Sequence, residues 1–353
     1  MTDKEVLQLL REVKHPGKGS KDIVELDMVN NIEVLADKTV VTLAFGKKRD
    51  PLAEYLIGAT RATLIRHGLP SPEVRTIVLE DERPANKPLE LGKDMISSIK
   101  HIIGIASGKG GVGKSTVAVN LAVALARSGF KVGLADADVY GPSIPTMTGT
   151  EGALPMAELV DGKEEIIPIE KYGVKWMSIG YFAKRKQALI WRGPMASTAL
   201  KQLVLQVNWG PLDFLLVDMP PGTGDIHLSL TQEIGIESVI VVTTPQNVAL
   251  ADVEKCVSMF RNESINRPIL GIVENMAWFT PAEHPDEKYY IFGREGGAQM
   301  AESLDVELLA QIPLVQSIRE SGDAGEPLAL GSGPDAAAFL NLAGLVAEKT
   351  SIK

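Results

Sequence analysis

An apolar strand that begins at His101 runs into Gly108-Lys109-Gly110-Gly111-Val112-Gly113-Lys114-Ser115-Thr116 and then into an apolar-faced helix ending near Gly129. The run satisfies G-x-x-x-x-G-K-[ST] in the strand, loop and helix context that this pattern requires. Its glycines let the backbone curl with N–H groups pointing inward, where they and the N-terminus of the next helix can cradle phosphate oxygens. Lys114 then places an ammonium near the β- and γ-phosphates, and the Ser115 hydroxyl is placed to ligate Mg²⁺. Few other features constrain a fold as tightly, because the loop works only at the carboxyl edge of a strand inside an α/β layer.

The flanking sequence supplies that layer. From His101 onward, short apolar strands alternate with helical stretches, as a mostly parallel sheet flanked by helices demands. Expected strands are 102–106, 132–135, 174–179, 214–217, 239–243, 269–273 and 308–312, with helices over 115–128, 196–207, 248–261 and beyond Pro334. Right-handed crossovers would line the strand C-termini along one edge. Ahead of this lies a small α+β unit, residues 1–80. Thr2 and Glu5 have capping-box spacing before Val6, Leu9, Leu10 and Val13, which predicts an opening helix. Strands are expected over 23–29 and 32–45, turning at Asn30-Asn31, followed by a helix through Leu52, Tyr55, Leu56 and Ala59 and a third strand over 74–79. Charges with Pro84 and Pro88 mark 81–95 as a linker, leaving 96–353 as the second domain.

Composition narrows the partners. The 353 residues carry a formal charge of -9, which disfavours broad contact with nucleic acid or anionic lipid. No apolar run approaches the ~18 residues of a membrane span. Residues 1–10 have no signal-peptide core, and Cys256 is the only cysteine, so no intramolecular disulfide forms; both point to the cytoplasm.

Three acidic strand ends accompany the loop. Asp136 and Asp138 follow the strand ending at Ala135, and Asp218 follows Phe214-Leu215-Leu216-Val217. Carboxylates there can hold Mg²⁺ directly or through water, or orient an attacking water. Asp138 is assigned the water, with Asp136 behind it and Asp218 linked to the metal; turn capping is the plainer reading for the first two. The Gly-rich continuation Pro220 to Asp225 could sense a γ-phosphate. Asp225 and His227 together do not define a metal site. Asn275, at the end of the sixth strand, carries the donor and acceptor that an adenine edge requires, or caps a turn. Lys109 is a cation an ordinary phosphate loop does not need; it is either a solvated lysine or one that serves a nucleotide across a dimer interface. Cys256 falls with Val253, Val257 and Phe260 on the apolar face of a helix, which reads as a buried structural thiol.

The loop resembles the deviant Walker A of the SIMIBI class, which includes MinD, ParA and the nitrogenase iron protein. More narrowly, the chain is identified as a member of the Mrp/ApbC family by residues 136–145 (DADVYGPSIP), 191–194 (WRGP), 218–225 (DMPPGTGD), 244–246 (TPQ) and 274–276 (ENM). The leading unit resembles the MIP18-type domain. The resemblance implies a homodimer that binds and hydrolyses ATP with Mg²⁺ and carries iron–sulfur clusters to apo iron–sulfur proteins. By position it assigns catalytic roles to Lys109, Lys114 and Asp138, nucleotide contacts to residues 108–116 and Asn275, and Mg²⁺ to Ser115, Asp136 and Asp218. A positioning or scaffold ATPase of the MinD/ParA kind, carrying no cluster, is the alternative. Many relatives carry Cys-x-x-Cys shortly after the Asn-Met pair, whereas residues 278–284 here are Trp-Phe-Thr-Pro-Ala-Glu-His, and residues 46–50 (GKKRD) replace a cysteine motif often found in the leading domain. The iron–sulfur ligands are therefore unassigned. Phe339, Leu342, Ala343 and Val346 give the last helix an apolar face; with only Lys349 and Lys353 basic nearby, packing onto the sheet is expected rather than membrane anchoring.

Overall fold

The computed structural model describes residues 2–16, 21–35, 37–45, 52–78, 93–139, 141–160, 163–182, 193–281, 283–284 and 286–351. The expected linker up to residue 92, the GKKRD segment and Trp191 and Arg192 of the WRGP segment lie outside the described residues. The chain divides into two compact units, residues 1–89 and 90–353.

In the first unit α1 (Asp3–Leu9) begins with the expected capping box, in which Thr2 N donates to Glu5 Oε2 at 2.7 Å and Glu5 N donates to Thr2 Oγ1. Next come β1 (Val29–Val34), β2 (Thr39–Phe45), α2 (Ala53–Arg66) and β3 (Pro72–Val78), with sheet order β1-β2-β3. The expected turn at Asn30-Asn31 is corrected here, because both asparagines lie inside β1 and the chain reverses instead through Leu35 N donating to Lys38 O. Residues 23–27 are turns rather than strand, since Asp22 Oδ1 accepts from the backbone of Val24 and Glu25 and draws them into a tight local loop. β1 is an edge strand with a bulge near Asn30, a setting that tolerates polar residues. Val6, Leu10, Ile23, Leu43, Leu56 and Leu64 fill this unit's own core.

The second unit contains β4 (Ile99–Ala106), α3 (Lys114–Arg127), β5 (Val132–Asp136), α4 (Ile144–Met147), β6 (Met156–Val160), β7 (Lys163–Ile167), β8 (Ile169–Lys171) and β9 (Val174–Ser178). It continues through α5 (Gly193–Leu205), β10 (Leu212–Asp218), α6 (Asp225–Ile234), β11 (Ser238–Thr243), α7 (Asn247–Arg261), β12 (Ile269–Phe279), α8 (Gly296–Ser303), β13 (Leu308–Leu314), α9 (Gln316–Ala324) and α10 (Pro334–Ser351). One eight-stranded sheet runs β13-β12-β11-β4-β10-β5-β9-β8, parallel except for β8. β5 and β11 are buried at every position, as strands covered on both faces must be. The two-stranded β6-β7 ribbon and β8 were not expected from the alternation of strands and helices.

Strand order switches sides at β4, because its crossover leads to β5 on one side while β11 lies on the other. Ligands in open α/β sheets bind at such a point, and the glycine-rich loop leaves β4 there. α3 is apolar almost all round, with every residue from Val117 to Leu125 buried, and α10 packs against it. Phe339, Leu342, Ala343 and Val346 are each fully buried. The apolar face of the last helix is therefore part of the core. Phe339→Ala is expected to destabilise the second unit by about 3–5 kcal/mol, measured as a lowered urea midpoint; an unchanged midpoint would mean that α10 does not pack as described.

Candidate functional site

The parallel pairing of β4, β10 and β5 sets Asp218 opposite both Ile105 and Asp136, and β5 with β9 sets Asp136 opposite Ser178. Two carboxylates thus stand side by side at the carboxyl edge of the sheet, both fully buried. Lys114, at the start of α3, reaches over them with its Nζ 2.5 Å from Asp218 Oδ1 and 3.3 Å from Ser115 Oγ. Burial, then the neighbouring Asp218 charge, pushes the Asp136 carboxyl up to about 7. Burial also raises Asp218, and the Lys114 ammonium opposes that shift.

Asp136 is satisfied by the chain around it. Ser178 Oγ donates to its Oδ2 at 2.8 Å, and the backbone N–H of Asp138 donates to its Oδ1 at 3.1 Å. Its carboxylate therefore sets the position of Asp138 two residues on. Asp218 is different: its Oδ2 is buried with no hydrogen-bond partner among the described residues.

Asp138, Lys114, Ser115, Thr116, Gly113 and Pro221 line a cleft of about 200 Å³ at the mouth of the loop. Lys109 is turned elsewhere, onto a neighbouring cleft with Val112, Thr244, Gln246, Met276 and Phe292. The two lysines of the loop therefore line different clefts, which share Gly110 and Gly111. Gly108 and Gly113 are required by close approach as well as by turn geometry: a Cβ at Gly108 would lie 2.2 Å from Asp252 O, and one at Gly113, where φ is +79°, would lie 2.2 Å from Asn275 Nδ2.

Asn275 Nδ2 donates to Val112 O at 2.8 Å, so its amide ties β12 to the phosphate loop. That use was not visible in the sequence. It depends on a break in the pairing of β12 with β13 between Asn275 and Phe279, where Met276 takes a φ of +54°. A left-handed methionine inside a strand is strained, and such strain gathers at functional sites. Glu274, fully buried, accepts from Gly297 N at 2.8 Å and from Gln311 Nε2 at 2.6 Å, clamping α8 and β13 to β12.

His227 holds the other wall. Its Nε2 lies 2.9 Å from Pro220 O and its Nδ1 3.2 Å from Gly224 O, both in the loop after Asp218. Burial holds the imidazole below its ordinary pKa, and a neutral ring has one N–H, which serves one carbonyl at a time. Each ring nitrogen faces a backbone carbonyl of that loop. Cys256 is fully buried in α7 and burial pushes its thiol up to about 12. Among the described residues no group of three His, Cys, Asp or Glu is placed to hold a metal ion. Sequence reasoning also missed Ser178, whose only signal is that a small polar residue closes an apolar strand. No described helix is long and apolar enough to cross a membrane.

With this geometry in hand, comparisons with known proteins place the chain. The family model described as the NUBPL iron-transfer P-loop NTPase matches residues 98–347, and that of an iron–sulfur cluster assembly protein matches residues 3–78. An iron–sulfur cluster carrier protein of Synechocystis is 41% identical over 355 residues, covering 100% of this chain and 99% of that one. A nucleotide-binding protein of Archaeoglobus fulgidus, solved with ADP, is 35% identical with a TM-score of 0.59 over 70% of this chain and 95% of that one. The septum site-determining protein MinD of Pyrococcus horikoshii, solved with Mg-ADP, is 26% identical with a TM-score of 0.51 over 71% of this chain and 98% of that one.

The buried carboxylates make stability depend on pH. Asp136 binds its proton more tightly folded than unfolded, where an aspartate titrates near 3.9, so its contribution declines as pH rises from about 4 to about 7. Asp136→Asn removes that burden and is expected to raise the melting temperature of the nucleotide-free protein more at pH 8 than at pH 5. An equal gain at both values would show that Asp136 is not held protonated by burial.

Proposed function

We propose a function that proceeds from one premise, that this chain belongs to the NUBPL iron-transfer P-loop NTPase family. It is a nucleotide-binding iron–sulfur cluster carrier, and its nucleotide is ATP, hydrolysed as part of carriage. The observation that carries this reading is the convergence of the loop's Lys114 with Asp136 and Asp218 at the point where strand order switches sides.

The residues present fit Mg²⁺, since Asp218 Oδ2 is buried and unpartnered beside the Ser115 hydroxyl. Ser115 and Asp218 would hold the ion, with Asp136 behind, and when bound it supplies neutralisation of charge on the β- and γ-oxygens. The loop's inward N–H groups bind the phosphate chain. Lys114, already out of water, exchanges a carboxylate partner for phosphoryl oxygens. Asp138, fixed through its backbone by Asp136, orients a water for attack on the γ-phosphorus, releasing ADP and phosphate. Lys109, facing the adjoining cleft, serves the nucleotide of a second copy across a homodimer. Asn275 contributes to base recognition through its carbonyl oxygen while its amide nitrogen ties down the loop.

The cluster is cargo, passed to apo iron–sulfur proteins. One buried cysteine per chain cannot give a dimer four accessible thiolates, so thiolate ligands come from a donor or recipient.

Lys114→Ala is expected to lower ATP affinity at least a hundredfold in calorimetry, while Lys109→Ala keeps monomer binding and loses most hydrolysis. Unchanged affinity in the first, or unchanged turnover in the second, overturns the corresponding assignment. For the cargo, the chain reconstituted anaerobically with ferrous iron and sulfide is expected to retain little iron alone and to retain it when glutathione supplies thiols, with Cys256→Ser behaving as wild type. Iron absent under both conditions rejects the carrier and spares the nucleotide chemistry.

A further inference from the structure

Ser107 follows β4 and precedes the first glycine of the loop; it is 1% exposed, and its Oγ has no hydrogen-bond partner among the described residues. It lines the same cleft as Lys114, Ser115, Asp138 and Pro221. A buried hydroxyl without a partner is a net cost to the fold, and native chains rarely keep one without a use.

The backbone of Ser107 is held on both sides. Its carbonyl accepts from Gly222 N at 2.9 Å, and the glycine that follows is pressed against Asp252. Only the hydroxyl is uncommitted. Phosphoryl oxygens accept hydrogen bonds and do not donate, so a hydroxyl that needs an acceptor matches them. The N–H groups over 110–116 belong to the curl of the loop and suit the inner phosphates. Ser107 belongs to the strand end, two residues beyond the register partner of Asp218, and lines the cleft together with Asp138. With Asp138 orienting the attacking water, as proposed above, a strand-end donor in this cleft meets the terminal phosphoryl group rather than the inner ones.

We propose that the Ser107 hydroxyl donates to a terminal phosphoryl oxygen of a bound nucleoside triphosphate and is the contact by which the site tells a triphosphate from a diphosphate. Because the carbonyl of the same residue holds Gly222, that contact is joined within one residue to the loop over 219–224, whose far end His227 secures. The assignment rests on the reading that this cleft binds ATP.

The full chain and its Ser107→Ala and Ser107→Cys variants are compared by calorimetry with Mg²⁺ and either ADP or a non-hydrolysable ATP analogue, alongside thermal unfolding without nucleotide. In Ser107→Ala, affinity for the analogue is expected to fall about tenfold while ADP affinity stays within about twofold. The melting temperature without nucleotide is expected to hold or rise, because an unsatisfied buried hydroxyl has been removed. Ser107→Cys keeps the volume with a weak donor and is expected to show the same selective loss. An unchanged analogue affinity, a parallel loss of both nucleotides, or full retention of the preference by Ser107→Cys overturns the assignment. A wild-type chain that bound neither nucleotide would instead reject the ATP reading, so the two failures are distinguishable.

Discussion

The second unit is organised around two carboxylates that the sheet forces together. Parallel pairing sets Asp136 and Asp218 side by side at the carboxyl edge, where helices on both faces keep water out. Like charges in that setting repel and are poorly solvated, so a cation has to come to them. Lys114 is that cation, and it can serve only because the loop after β4 turns α3 so that its first residue overhangs the strand ends. Such an ion pair is a weak device for stability. Apolar residues of similar volume would hold the layer at least as well. In the proposed function Lys114 and Asp218 each take another partner, phosphate for the lysine and Mg²⁺ for the carboxylate.

The two loops around this cluster are held in different ways. The phosphate loop is fixed from outside by contacts that leave no room for a side chain, with Asp252 against Gly108 and Asn275 against Gly113, and by the Asn275 bond to Val112. The loop after Asp218 is hung on hydrogen bonds instead, at Gly222 to Ser107 and at His227 to Pro220 and Gly224. Close packing resists deformation in every direction, while a hydrogen bond can be exchanged for another of similar strength. A rigid cradle beside an exchangeable wall is the arrangement a nucleotide switch requires. The same contrast separates nucleotide chemistry from cargo. Lys114, Ser115, Asp136 and Asp218 converge within one chain, whereas the one thiol is sealed inside α7.

What the sequence by itself determined was whatever depends on short-range pattern. The glycine-rich loop, the aspartates at the ends of two strands, the capping box at Thr2 and the apolar face of the last helix were all legible, because a period of two or of 3.6 and a few obligatory residue types carry that information along the chain. The Asn30-Asn31 turn misled for the same reason: local chemistry favoured a reversal, and pairing of an edge strand with β2 overrode it. Only the tertiary structure decided which strands became neighbours, and with that the meeting of Asp136, Asp218 and Lys114. It alone revealed that Asn275 braces the loop, that His227 faces backbone carbonyls, and that the Ser107 hydroxyl is buried with no partner among the described residues. Each of these joins residues from separate strands or loops, and the energy that selects them is burial and packing between elements, which no single stretch of chain contains.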